Sequence, residues 1–160
     1  VARMTMDPIK NFIAEIPLVG ALMGLDLGTK TIGVAVSDQR QTIATGIRTI
    51  KRTKFQQDLK YIELFIAHRA IRGIVLGLPK NMDGTEGPRC QSTRAFAKNL
   101  SLTITIPITF WDERLSTVAA ERSLLDANTS RRRRSEVIDY VAASFILQGA
   151  LDRVNILRES

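Results

Sequence analysis

The chain has 160 residues, enough for one ordinary domain with a substantial core and too few for two. With 44% hydrophobic and 24% charged residues it has the composition of a folded globular protein, which excludes fibrous, low-complexity and disordered classes. Its 23 Lys and Arg against 16 Asp and Glu leave a net charge of +7, which points to a polyanionic partner, nucleic acid before a membrane surface.

In chain order, the segment before Ala21 carries Asp7 and Glu15 and no uninterrupted apolar stretch, so it reads as neither a secretory signal nor a membrane span. Asp7-Pro8 predicts an N-cap and first helical residue of a short amphipathic helix running to about Ile16. Residues 1–20 thus form a leader, and 21–160 a single domain. Residues 21–27 and Thr31 to Ser37 predict two strands joined by the tight turn Gly28-Thr29-Lys30, with a third strand from Ala44 to Ile50 completing a meander. Lys54 to Arg69 places Phe55, Leu59, Ile62, Phe65 and Ile66 at helical spacing.

Ile71 to Leu78 predicts a strand covered on both faces, followed by the polar loop Lys80 to Gly87 and a helix from Pro88 to about Leu100. The alternation of Ile104, Ile106, Ile108 and Phe110 predicts a strand from Thr103 to Trp111, and helices over Ser116 to Ala127 and Ser135 to Arg153 close the chain. Strand and helix alternating after a meander predict an α/β fold with parallel strands and helices on the sheet faces. The single cysteine, Cys90, forms no internal disulfide and fits a reducing cytosol; it reads as a plain small side chain.

Three acidic positions stand out. Asp26 lies between Leu25 and Leu27, where burying a charge needs compensation. Read alone, it is a strand-end aspartate capping the turn amides. Asp112 and Glu113 follow an alternating strand, where ligands of open α/β sheets collect beyond the strand ends, and their side chains diverge, so one of the two enters a site. Asp139 lies near the start of an apolar helix for which Ser135 is a plausible N-cap, and there it also suits the helix dipole. Carboxylates from three elements, in a chain with one histidine, point to a hard cation such as Mg²⁺. A pair of such ions about 4 Å apart serves phosphodiester hydrolysis. The run Arg131-Arg132-Arg133-Arg134, just before the Asp139 helix, reads as a basic loop that suits phosphate. His68 reads as a surface residue at a helix end.

Together LDLGTKTIGVAVSD, VLGLPKNMDGTEGP, WDERLSTVAAE and RRRRSEVIDYVAASFILQ, in this order over Ala21 to Arg153, closely resemble the YqgF/RuvX family of the RNase H-like superfamily. The resemblance implies a five-stranded mixed sheet of order 3-2-1-4-5 with strand 2 antiparallel and helices on both faces. It implies a divalent-metal nuclease that processes the 5′ end of precursor 16S rRNA, or a Holliday junction resolvase. Its acidic residues fall on Asp26, a carboxylate of the DER motif and Asp139, with Mg²⁺ or Mn²⁺ expected. Glu113 is favoured over Asp112, and Asp83 is an outside candidate. Gly28, Thr29, Lys30, Arg114 and Arg131 to Arg134 would bind nucleic acid, in a cytoplasmic protein that is a monomer or dimer. Two other readings are weaker. A phosphotransferase of the actin and sugar-kinase type would need a second such domain, and a non-cleaving nucleic-acid module leaves three acids unexplained.

Overall fold

The computed structural model describes residues 8–116 and 131–159, the side chains of 131–137 excepted. Helix α1 (Pro8–Glu15) begins on the proline, whose fixed φ suits a first helical turn; Asp7, its expected N-cap, lies outside the described residues. Strands β1 (Met23–Leu27), β2 (Thr31–Ser37) and β3 (Ala44–Lys51) form the expected meander. There follow α2 (Phe55–Arg69), β4 (Ile74–Leu78), α3 (Pro88–Ser101), β5 (Ile108–Asp112), a 3₁₀ turn (Glu113–Leu115) and the 29-residue helix α4 (Arg131–Glu159).

The sheet order is β3-β2-β1-β4-β5. β2 runs antiparallel to both neighbours, while β1, β4 and β5 are parallel, so the sheet is the mixed one that the resemblance implied. Because strand side chains alternate between faces, each strand divides its residues between two cores. Met23, Leu25, Leu27, Ile32 and Leu76 pack with Leu59, Phe96 and Leu100 of α2 and α3. Leu22, Ala35, Val75 and Trp111 pack with Ala143, Ile146 and Leu147 of α4 and with Ile9 and Phe12 of α1. The segment set apart as a leader therefore contributes core side chains. Far from the strand ends that carry the acids, Gln41 fastens α4: its Oε1 accepts from Arg158 Nη1 at 2.7 Å, and its Nε2 donates to the Gly20 carbonyl at 2.9 Å.

Three elements differ most from their predicted bounds. The strand expected from Thr103 begins at Ile108, because the amides of Thr103 and Ile104 close the end of α3 on the Leu100 carbonyl, and β4 begins its pairing at Ile74 with Ile108. The strand expected from Ile71 begins at Ile74, since Ile71 N donates to Ile66 O and closes α2. The last helix starts at Arg131 instead of Ser135, which makes the arginine run its opening turn and removes Ser135 from the N-cap, and it continues to Glu159. Arginine is a strong helix former, so the charge run propagates the helix instead of preceding it. Of the helix predicted over Ser116 to Ala127, residues 117–127 lie outside the described residues.

Candidate active site

Leu25 and Leu27 face α2 and α3, so Asp26 between them faces α4, where it is 5% exposed. Its cross-strand partner on β2 is Gly33. On its other side Leu25 pairs with Leu76 of β4, which places Gly77 beside Asp26. Both glycines matter for what lies over them. A Cβ on Gly33 would sit 1.9 Å from the Asp139 carbonyl oxygen, so the α4 backbone rests directly on β2 at this point. A Cβ on Gly77 would sit 2.9 Å from Glu113 Oε2. Asp26 is thereby flanked, one strand spacing of about 4.8 Å to each side, by the backbone of Asp139 and the carboxylate of Glu113. Gly24 and Gly46 extend the same close approach, with Leu147 Cβ and the Tyr140 carbonyl at 2.7 and 2.4 Å from their would-be Cβ atoms.

Asp112 belongs to the other face, in line with Ile108 and Phe110. It accepts from Arg114 N at 3.0 Å and from Arg114 Nη2 at 2.8 Å. Partial burial raises its carboxyl pKa, but these bonds outweigh that and hold it below the usual carboxylate range. Glu113, two residues beyond the α4-facing Trp111, returns to the face of Asp26. Asp139 has its own fixture, since Thr31 Oγ1 donates to Asp139 Oδ2 at 2.6 Å. In this conformation no three Asp, Glu, His or Cys side chains among the described residues close to metal-holding distance. The donor chemistry nonetheless fits a hard cation, because Asp26, Glu113, Asp139 and Thr31, gathered at this end of the face, all offer oxygen.

At the β1–β2 turn, Gly28 N donates to Thr31 O at 2.8 Å, and Thr29 and Lys30 are exposed. Beside it lies a cleft of about 200 Å³ bordered by Gly28, Thr29, Arg52 and Arg89. Arg52 donates to the Gly28 carbonyl, and Arg89 Nη2 to that of Leu27 at 3.4 Å. Neither arginine carries a signal in the sequence, since they come from separate elements with no shared motif. Thr31 carries none either. Gly33 and Gly77 carried a readable signal, because glycine inside a strand marks a close backbone approach.

The remaining candidates fall elsewhere. Arg114 is tied to Asp112 and donates to the Met82 carbonyl at 3.3 Å, bracing the loop after β4. Asp83 accepts from the hydroxyl and amide of Thr85, which lower its pKa, and so orders that exposed loop. The side chains of Arg131 to Arg134 lie outside the described residues. His68 is exposed at the end of α2, and Cys90 is buried on α3.

A sequence profile of the RuvX family, described as Holliday junction resolvase, matches residues 20–153. A relative from Roseobacter denitrificans, named "Putative pre-16S rRNA nuclease", is 60% identical over 157 residues, 97% of this chain and 96% of that protein. The chain belongs to the RuvX family. Nucleases, hydrolases of phosphodiester bonds, make up this RuvX group by the names its members carry. Among solved structures, the yeast mitochondrial Holliday junction resolvase Ydc2 matches with a TM-score of 0.54 at 10% identity, over 94% of this chain and 86% of that one. Thermus thermophilus RuvC in complex with a Holliday junction substrate matches with 0.51 at 8% identity, over 83% and 94%. These likenesses show that the RuvX chain has the resolvase fold of the RNase H-like class. Among the described residues no helix is long and apolar enough to cross a membrane.

Proposed function

We propose that this chain is a divalent-metal-dependent endonuclease that cuts structured nucleic acid, with the 5′ end of precursor 16S rRNA as its substrate in the bacterial cytoplasm. The observation that carries this reading is the placement of Asp26 between Gly33 and Gly77, beneath Asp139 and beside Glu113. Asp26, Glu113 and Asp139 would hold Mg²⁺ or Mn²⁺, which supplies Lewis acidity to the phosphodiester and lowers the pKa of an attacking water. Thr31 holds the Asp139 carboxylate over β2. The amide of Thr29, in the turn that Gly28 shapes, would hold the phosphate backbone beside the acids with Lys30 and the Arg131 to Arg134 turn, and Arg114 would follow when its bond to Asp112 opens. The RuvX description favours a second substrate, the four-way DNA junction.

The test offers wild type and Asp26→Asn a precursor 16S rRNA end and a four-way DNA junction, with Mn²⁺, Mg²⁺ or chelator. Wild type should cut one of them only with cation, and Asp26→Asn should lose at least about 100-fold in rate while binding is kept. If wild type binds both substrates and cuts neither at high enzyme, the nuclease reading fails.

A further inference from the structure

A second surface lies outside the acidic site, along the open edge of the sheet. Among the described residues β3 pairs with β2 alone, and between its outer edge and α2 run two adjoining hollows of about 600 and about 310 Å³ that share Arg48 and Tyr61. Arg48, Lys51 and Lys54 line the first, His68 and Arg69 the second, and no carboxylate is among their described lining residues. Tyr61 and Leu64 stand 47% and 54% exposed in this basic setting.

Arg48 is there because of a backbone irregularity. Val34 pairs with Arg48 and Ala35 with Gly46, so Ile47 is an extra residue bulged out of β3. In a regular strand Arg48 would share the α4 face with Gly46; the bulge turns it to the α2 side. The Lys51 end of the groove lies one strand from the acidic site, since Lys51 is the cross-strand partner of Thr31, whose hydroxyl binds Asp139. From there the groove follows the 15 residues of α2. At 1.5 Å per residue that is about 22 Å, room for on the order of four nucleotides.

We infer that this groove holds an unpaired nucleic-acid strand leading to or from the cut site. The cations alone would serve a duplex equally, by its phosphates. An exposed tyrosine beside an exposed leucine offers a stacking surface, and only unpaired bases present their faces to one. The inference rests on the nucleic-acid reading above and adds that the substrate has a single-stranded flank.

The test measures binding, in chelator, of an RNA duplex with and without an unpaired extension of about eight nucleotides. Wild type should bind the extended RNA more tightly. Arg48→Glu and Tyr61→Ala should each cancel about tenfold of that affinity, leave the blunt RNA unchanged and fold normally, while Tyr61→Phe keeps the gain. The groove is refuted if the extension adds no affinity, or if the variants weaken both RNAs alike. It is also refuted if they convert a dimer to a monomer in sedimentation and leave the extension's contribution intact, which would make this edge an interface between copies. Should wild type hold the extension but cut neither the precursor 16S rRNA end nor the four-way DNA junction in Mn²⁺, the groove stands and the nuclease reading falls.

Discussion

The residues that hold the ends of the sheet act by satisfying backbone amides, and Asp38 shows how far that reaches. Just beyond β2, its carboxylate accepts from the amides of Ile43 and Thr42 at 2.9 and 2.7 Å and from the Thr42 hydroxyl at 2.5 Å. The Ile43 amide first, then the Thr42 hydroxyl, pull its pKa from 3.8 to about 2. The folded state thus binds this proton less tightly than the unfolded one, so the stabilisation is complete above the unfolded value and is lost as pH falls from about 4 through about 2. Discounted for the solvent around an exposed loop, Asp38→Asn should cost about 1 kcal/mol at neutral pH and almost nothing near the acid limit. Urea denaturation at both pH values checks this, and a cost that does not change with pH refutes it. At this scale the acids of the candidate site were legible, because a charge between leucines announces a need for compensation. The partners were not legible. Thr31 looks like any strand threonine, and its bond to Asp139 joins positions that only the folded chain brings together.

At the scale of elements, the site depends on how low α4 lies on the sheet. Gly33→Ala would force the Asp139 carbonyl off a would-be Cβ now 1.9 Å away, and overpacking of this kind typically costs about 1–3 kcal/mol. Gly46→Ala would lift the same helix at Tyr140, but on β3, which does not adjoin Asp26. Both variants should lose stability, and Gly33→Ala should lose clearly more cleavage per unit of stability lost. Paired thermal melts and cleavage rates measure this; equal losses would mean that the glycines serve packing alone. Strand order followed from the resemblance, and the helices on both sheet faces from the alternation of strand and helix. Element ends were less legible, since they depend on where a partner begins: β5 starts where β4 can pair with it, although the apolar alternation starts at Ile104. The bulge at Ile47 left no sequence mark, and so the turning of Arg48 was hidden.

For the molecule as a whole, the charge of +7 predicts binding driven by release of counterions from the nucleic acid. With about six phosphates neutralised, affinity should fall roughly 10³-fold between about 50 and 200 mM salt. Fluorescence anisotropy of a labelled RNA across salt concentrations measures the slope, and a flat response would remove phosphate contacts from the account. The long helix has one further consequence, in the order of synthesis. Asp26 and Glu113 leave the ribosome before Asp139, and Asp139 reaches them only once α4 has settled on its glycines and Gln41 has caught Arg158. A nascent chain therefore carries two of the three candidate acids before the third, and the candidate site is completed by the last element made.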